Sequence, residues 1–221
     1  MRYFISRSMS VVKEIEFNKL INFSHNGSFL SYVNRKKPSN ANAFFKKLLR
    51  DPFNINHEVF KKSSREDIKN ILDSTISSKY RDDIFYNKWV SDMAKICNLF
   101  CEITDDISLS FSLETSRGCK RFHIDNVPMR LLVTYYGKGT EWFPSHACDY
   151  NAYYRGEPNE KIIKKVEEKR NINSWDIAIF KGNKYENGEK AILHRTPDEA
   201  LNKLSLLMRL DHSQYVSDIR V

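Results

Sequence analysis

The chain has 221 residues, of which 41% are hydrophobic, 13% aromatic and 29% charged, and its formal net charge is +8. This composition supports a real hydrophobic core in one large domain and argues against a disordered chain. No apolar run approaches the roughly 18 residues of a membrane span, and the N-terminus lacks the apolar stretch of a secretory signal, so we expect a cytoplasmic protein with no membrane partner.

Charge and cysteine usage limit the classes of partner. The four cysteines are too few for a disulfide scaffold and include no Cys-x-x-Cys pair, which is typical of a reduced, intracellular protein. The positive charge would suit nucleic acid or a phosphorylated metabolite. The basic residues are dispersed, however, so this signal is weak, and a basic protein without such a partner is an equal alternative. The sequence predicts neither the substrate nor the oligomeric state.

The N-terminal part of the chain is predicted to be mainly helical. Residues 11–21 form a short strand or helix, and Asn26-Gly27 marks a turn. Ser63 and Glu66 have the spacing of a capping box, which opens a helix. Apolar residues at three- and four-residue steps predict three helices, at residues 40–50, 63–76 and 79–102.

After residue 106 the hydrophobic period changes to two. Apolar residues from Ile107 to Leu113 alternate with serines, which predicts a half-buried strand with one wet face. Further strands are predicted at residues 120–125, 129–136, 175–181, 190–194 and 203–211, with a short surface helix within residues 157–171.

Helices followed by strands indicate an α+β fold. We predict a helical N-terminal region, residues 1–103, packed on a C-terminal domain, residues 104–221. We expect this domain to be a double-stranded β-helix, the jelly-roll barrel to which cupins also belong.

The segment Arg121-Phe122-His123-Ile124-Asp125 carries the main functional signal. In a strand, residues i and i+2 project to the same face, so His123 and Asp125 point to one place. If His194 arrives there from a distant strand, the three residues form a two-histidine, one-carboxylate metal site. Non-haem Fe(II) oxygenases use this ligand set, which leaves coordination positions open. The alternative is a surface histidine and aspartate that hydrogen-bond each other or water.

The order of the following segments resembles that of Fe(II)/2-oxoglutarate oxygenases. After the His-x-Asp pair come the segments Gly137–Phe143, Ser174–Phe180, His194–Pro197 and a strand that contains Arg209. Trp175 departs from the pattern, because a glycine usually precedes the aspartate there.

The oxygenase resemblance implies a set of roles. His123, Asp125 and His194 would bind Fe(II), and Arg209 would pair with the far carboxylate of 2-oxoglutarate, because a guanidinium matches a carboxylate with two hydrogen bonds. Arg130 is the alternative partner for that anion, and Tyr135 is a candidate hydrogen-bond donor to it.

A closer resemblance links the chain to an uncharacterised bacterial family, a conserved domain of unknown function. It is carried by the segments Cys119–Asp125, Arg130–Tyr135, Gly139–Pro144, Phe180–Gly182 and His194–Pro197. Members are often linked by genome context to zinc homeostasis, which implies a metal-related role without fixing the metal or the reaction.

Three hypotheses follow, of which we favour an oxygenase that uses Fe(II) and 2-oxoglutarate. The second is a non-catalytic, zinc-handling protein, in which Cys119, His146 or Cys148 supplies a fourth ligand to Zn(II), because thiolates favour zinc. The third is a degenerate barrel used for contacts with protein or nucleic acid. Fold alone transfers little function, so the site must decide.

Overall fold

The computed structural model describes residues 10–14, 16–186 and 191–216, which form a mixed α/β structure with a large, mostly antiparallel sheet. The strands in these residues are β1 (Ser10–Glu14), β2 (Ser28–Val33), β3 (Asn54–Phe60), β4 (Ser108–Glu114), β5 (Met129–Tyr136), β6 (Thr140–Trp142), β7 (Arg170–Ile172), β8 (Ile177–Lys181), β9 (His194–Arg195) and β10 (Leu206–His212). The α-helices are α1 (Ala41–Leu48), α2 (Ser64–Thr75), α3 (Ile84–Thr104), α4 (Tyr150–Tyr154) and α5 (Asn159–Ile162).

The strands form two sheets. The larger sheet has seven strands in the order β1-β2-β8-β5-β10-β4-β3, and the smaller has three in the order β7-β6-β9. Within the larger sheet, β1 and β2 pair in parallel and the other neighbours pair antiparallel. Residues 1–103 therefore contribute strands as well as helices, and the domain division at residue 103 stays a prediction.

Strand parity gives the larger sheet two different faces. On one face, alternate residues of β4, β5, β8 and β10 share a single apolar core with α1, α2 and α3. The opposite face carries Leu132, Ala178, Phe180 and Leu207, which pack with Trp142 and other residues of the smaller sheet. The candidate ligands lie on this second face, away from the long helix.

Two details of the predicted helices differ in the structure. The Ser63 side chain does not cap α2, because its hydroxyl donates to Asp67 Oδ2 at 2.9 Å, and Asp67 also accepts from the Phe60 amide. The third helix begins at Ile84 rather than Lys79, because the Asp83 carboxylate caps it by accepting from a backbone N–H.

The predicted wet face of β4 is wrong. Ser108, Ser110 and Ser112 are all buried. The reason is that the end of the described chain, residues 213–216, returns to β4. There Asn56, which is paired with Ser112 across β3 and β4, donates to the Val216 carbonyl at 2.6 Å. Among residues 107–113, only Ile107 is exposed, at 80%, and it precedes the strand.

Other predicted strands change their limits. Residues 120–125 do not form a strand, and His123 makes an isolated β-bridge with His194. The strand predicted at residues 190–194 is reduced to β9, and Lys190 lies outside the described residues. The charged segment 157–171 contains the predicted helix, α5, but also the start of β7.

None of the helices in the described ranges has the length and apolar character needed to cross a membrane.

Trp175 occupies a backbone conformation that favours glycine. Its φ is 75°, in the left-handed region, which glycine adopts without the steric cost that a side chain adds. Its buried ring lies 5.0 Å from that of Tyr135, 6.1 Å from that of Phe85 and 6.3 Å from that of Phe45, with the Arg35 guanidinium 5.6 Å from its centroid. Ring packing therefore offsets a backbone strain of about 1–2 kcal/mol.

This balance predicts an unusual order of stability for two variants. Trp175→Ala and Trp175→Gly both remove the ring and should lower the free energy of unfolding by about 3–5 kcal/mol. The glycine variant should be about 1 kcal/mol more stable than the alanine variant, because glycine adopts positive φ without a clash. Urea denaturation measures both values, and an alanine variant that is the more stable would contradict the strain.

Candidate metal centre

The site is built where His123 meets His194. The two residues exchange both backbone hydrogen bonds, at 3.0 Å from His123 N–H and 3.1 Å from His194 N–H, as in an antiparallel pair. Their ring centroids are 4.6 Å apart. One bridge therefore fixes residues 71 positions apart in the sequence against each other, although the predicted strand around His123 is absent.

Backbone carbonyls determine which ring nitrogen of each imidazole carries the proton. His123 Nδ1 lies 3.0 Å from the Arg121 oxygen, and His194 Nδ1 lies 3.1 Å from the Ile192 oxygen. A carbonyl oxygen only accepts, so each Nδ1 carries the proton and each neutral ring keeps its lone pair on Nε2. Burial, helped by His194, lowers the pKa of His123 to about 4, which keeps this imidazole neutral at pH 7.

Asp125 supplies the third group and is held by arginine. His194 Nε2 lies 3.2 Å from Asp125 Oδ2, and His123 Nε2 lies 3.7 Å from Oδ1. Arg130 Nη1 contacts Oδ1, and the same guanidinium is held from behind by Asp211, at 2.7 Å and 2.8 Å. Burial raises the pKa of Asp125, but Arg130 and the two histidines together outweigh burial and hold that pKa well below its usual range.

These groups meet the requirements of a cation site. The ligand atoms of His123, Asp125 and His194 all lie within 4.8 Å of one another, and metal–ligand bonds of about 2.1 Å would draw such atoms to about 3 Å. Asp125 Oδ2 is buried and has no hydrogen-bond partner. With neutral imidazoles, three acceptor groups face each other, an arrangement that a divalent cation relieves.

Gly182 positions the loop that carries Asp125. Asn183 N–H donates to the Asp125 carbonyl and Gly182 N–H donates to the Pro128 carbonyl, both at 2.9 Å. A Cβ on Gly182 would overlap the carbonyl oxygens of Asp125 and Val127. The glycine that ends the segment Phe180–Gly182 is therefore required, since only glycine lets the end of β8 approach this loop.

The three groups face a pocket that contains several arginines. Arg209 lies in it, with its Nη2 3.0 Å from Glu114 Oε1 and its Nε 3.6 Å from Asp211. Arg117 also lines it and holds the turn at residues 138–140. The ring of Phe180 covers His194, with centroids 4.4 Å apart.

Two of the residues predicted to bind the cosubstrate do not fit that role. Tyr135 is fully buried on the helix-facing side of the sheet, where its hydroxyl donates to Asp92 at 2.8 Å. Arg130 lines the pocket, but its guanidinium is taken by Asp125 and Asp211. Of the predicted anion partners, Arg209 alone remains, and it is paired with Glu114.

A fourth ligand of the predicted kind is absent from the described part of the chain. The group of potential ligands contains no cysteine. Cys119 is exposed and lines the same pocket without joining that group. His146 pairs with Glu168 at 3.2 Å, and the Cys148 thiol contacts the Pro144 carbonyl at 3.6 Å. The open three-ligand arrangement does not favour a closed, structural zinc site.

The sequence reasoning missed Arg117 and Asp211, and it gave Gly182 no structural role. Strand parity could have found Asp211, because it shares a face with Arg209, and could have excluded Tyr135, because five positions separate it from Arg130. Arg117 lies outside a strand, and no local pattern marks it.

Comparison with known proteins gives a family and a set of distant structural likenesses. The model of the family described as "Protein of unknown function (DUF1826)" matches residues 16–211. No curated protein sequence gives a significant match.

Several similar solved structures are named as dioxygenases. The 2-oxoglutarate complex of the dioxygenase for auxin oxidation 1 from Arabidopsis thaliana is 12% identical over 93% of this chain and 92% of that chain, with a TM-score of 0.42. The dioxygenase for auxin oxidation in rice is 8% identical over 93% and 83%, with a TM-score of 0.48. The Fe(II)/(alpha)ketoglutarate-dependent dioxygenase TqaL is 9% identical over 88% and 85%, with a TM-score of 0.44. At these values the likeness does not indicate which reaction this chain performs.

Gly182→Ala should weaken metal binding without removing a ligand. The new Cβ displaces the loop that carries Asp125, and we expect a Kd for Zn(II) about 10–100-fold higher, as for other losses of support behind a metal ligand. Isothermal titration calorimetry measures this constant. Gly27→Ala is the matched control, because a Cβ at Gly27 meets nothing within 4 Å. A folded Gly182→Ala protein with unchanged affinity would refute the positioning role.

Proposed function

Because this chain belongs to the family of proteins of unknown function DUF1826, whose description assigns no reaction, we propose its function from the site itself. We propose that it is a mononuclear oxygenase that uses Fe(II) and 2-oxoglutarate. His123, Asp125 and His194 are the metal ligands in this proposal. The substrate is a further question.

One observation carries the proposal. Both imidazoles present an Nε2 lone pair to the same carboxylate, and this acceptor face opens into a pocket. Two histidines and one carboxylate on one face, with no thiolate, favour Fe(II) and leave positions for a cosubstrate and O₂. Bound iron supplies the activation of O₂, and the protein supplies orientation and an environment shielded from water.

The charges around the triad favour an anionic cosubstrate. Arg130 pairs with Asp125 and Asp211, and Arg209 pairs with Glu114. A divalent cation would add two positive charges, which favours the binding of an anion such as 2-oxoglutarate. Arg209 then exchanges Glu114 for the far carboxylate of the cosubstrate, a contact with two parallel hydrogen bonds.

We further propose that the two sheets are the halves of a double-stranded β-helix. The smaller sheet packs its inner residues against the larger one, in the apolar cluster that contains Leu132, Trp142 and Phe180. The bridge at His123 continues the smaller sheet beyond β9. In this arrangement the metal site lies at the end of the space between the sheets.

Loss of a ligand should abolish both metal loading and turnover. Anaerobic protein with Fe(II) and 2-oxoglutarate should show a weak metal-to-ligand absorption band and should release succinate when O₂ is admitted. His123→Ala, Asp125→Ala and His194→Ala should each lose the band, whereas His146→Ala should keep it, because His146 pairs with Glu168 outside the group.

Retention of full metal loading by any of these ligand variants would refute the triad. Tight Zn(II) binding by the wild-type protein, with no absorption band and no succinate, would instead favour the zinc-handling alternative.

Arg209→Gln should weaken the binding of 2-oxoglutarate but not the binding of Fe(II). We expect the Kd of 2-oxoglutarate, measured from the absorption band, to rise about 10–100-fold with the loss of a charge-assisted contact, while the Kd of Fe(II) alone changes little. Arg155→Gln is the control, because Arg155 is 61% exposed and pairs with Glu157. Equal 2-oxoglutarate affinity in the Arg209 variant and the wild type would exclude Arg209 as the partner.

A further inference from the structure

Arg117 differs from the other arginines that line the pocket. Arg130 pairs with Asp125 and Asp211, Arg195 with Glu141 and Asp198, and Arg209 with Glu114. None of the ion pairs found among the described residues includes Arg117, whose hydrogen bonds all go to neutral oxygens. Among the described residues Arg117 therefore makes no ion pair in this pocket, since Glu114 acts on it only from a distance and is itself paired with Arg209.

The hydrogen bonds of Arg117 leave one edge of its guanidinium free. Nη1 donates to the carbonyls of Lys138 and Gly139, at 2.7 Å and 2.8 Å, and Nη2 donates to Thr140 Oγ1 at 3.2 Å. A guanidinium has five N–H donors. The Nε–H, which has no partner, and one N–H of Nη2 remain, and two such neighbouring donors match two oxygens of one anionic group.

The surroundings of Arg117 make an anion favourable. Burial lowers the pKa of Arg117 to about 10, which shows that its charge is partly removed from water. A charge in that situation is destabilising until it is paired. An incoming oxyanion would supply the missing charge, and the three existing hydrogen bonds hold the guanidinium ready for it.

Arg117 lies at the mouth of the pocket. Its neighbours Gly118 and Cys119 are exposed, as is Lys138 in the turn to which it is bonded. Arg209, in contrast, lies on β10 between β4 and β5. The pocket has a cavity volume of about 70 Å³, and its lining includes all three candidate ligands. A molecule held at Arg117 therefore reaches toward the metal ligands.

We propose that Arg117 binds an anionic oxygen group, a carboxylate or a phosphate, of a small-molecule substrate. The substrate of this site is therefore an acidic molecule, held by its charged end at the mouth while its other end points to the metal centre. The statement that this molecule is a substrate rests on the proposed function, whereas the anion site itself does not.

The anion site is tested with acetate and inorganic phosphate as probes. Each is titrated into the full chain, and the backbone amide signals of Gly118 and Cys119 are followed by NMR. Saturable shifts with either anion support the site, and the anion that binds more tightly identifies a carboxylic acid or a phosphate ester as the source. Arg117→Gln should weaken this binding by about ten-fold or more.

One variant serves as the control. Arg155→Gln should leave the shifts at Gly118 and Cys119 in place, because it removes an equal charge outside the pocket. Unsaturable shifts that chloride reproduces, or binding that survives Arg117→Gln and is lost in Arg209→Gln, would overturn the proposal. Metal loading, measured separately, reports on the proposed function, so the two failures are distinguishable.

Discussion

The site depends on an electrostatic constraint in which two imidazole lone pairs and a carboxylate are held face to face. Carbonyl oxygens of Arg121 and Ile192 fix the Nδ1 protons, and the backbone exchange between His123 and His194 fixes the rings. Arg130, itself held by Asp211, keeps Asp125 ionised and in place. Acceptors assembled in this way repel one another, and a cation bound between them would relieve that repulsion.

The triad could be predicted from sequence because the His-x-Asp spacing brings both side chains to one side. This holds although residues 120–125 do not form the predicted strand. Side chains still alternate around His123, with Phe122 and Ile124 buried in a separate apolar cluster on the other side. The sequence patterns did not predict which distant segments contact each other. The chain end that covers the β4 serines is remote in sequence, and the partner that neutralises Arg209 is a glutamate 95 positions earlier. Periodicity predicts which face of a strand a residue occupies, but it does not predict which distant group covers that face.

The position of the arginines also changes the meaning of the basic composition. A net charge of +8 suggests a surface that attracts polyanions, and that prediction concerns the exterior. Four arginines instead line the interior pocket, three of them paired with carboxylates. Part of the positive charge therefore lies at this pocket, where a guanidinium without an ion pair could bind an anionic group.

The order of the large sheet has a consequence for any shortened form of the protein. Its outer strands, β1 with β2 on one side and β3 on the other, all come from the first 60 residues and cover the backbones of β8 and β4. A fragment that starts at residue 104 would leave both of those backbones with unsatisfied N–H and C=O groups, which template association between molecules. The N-terminal strands thus protect the neighbouring strands from aggregation. A truncated form of this chain has to include them to stay monodisperse.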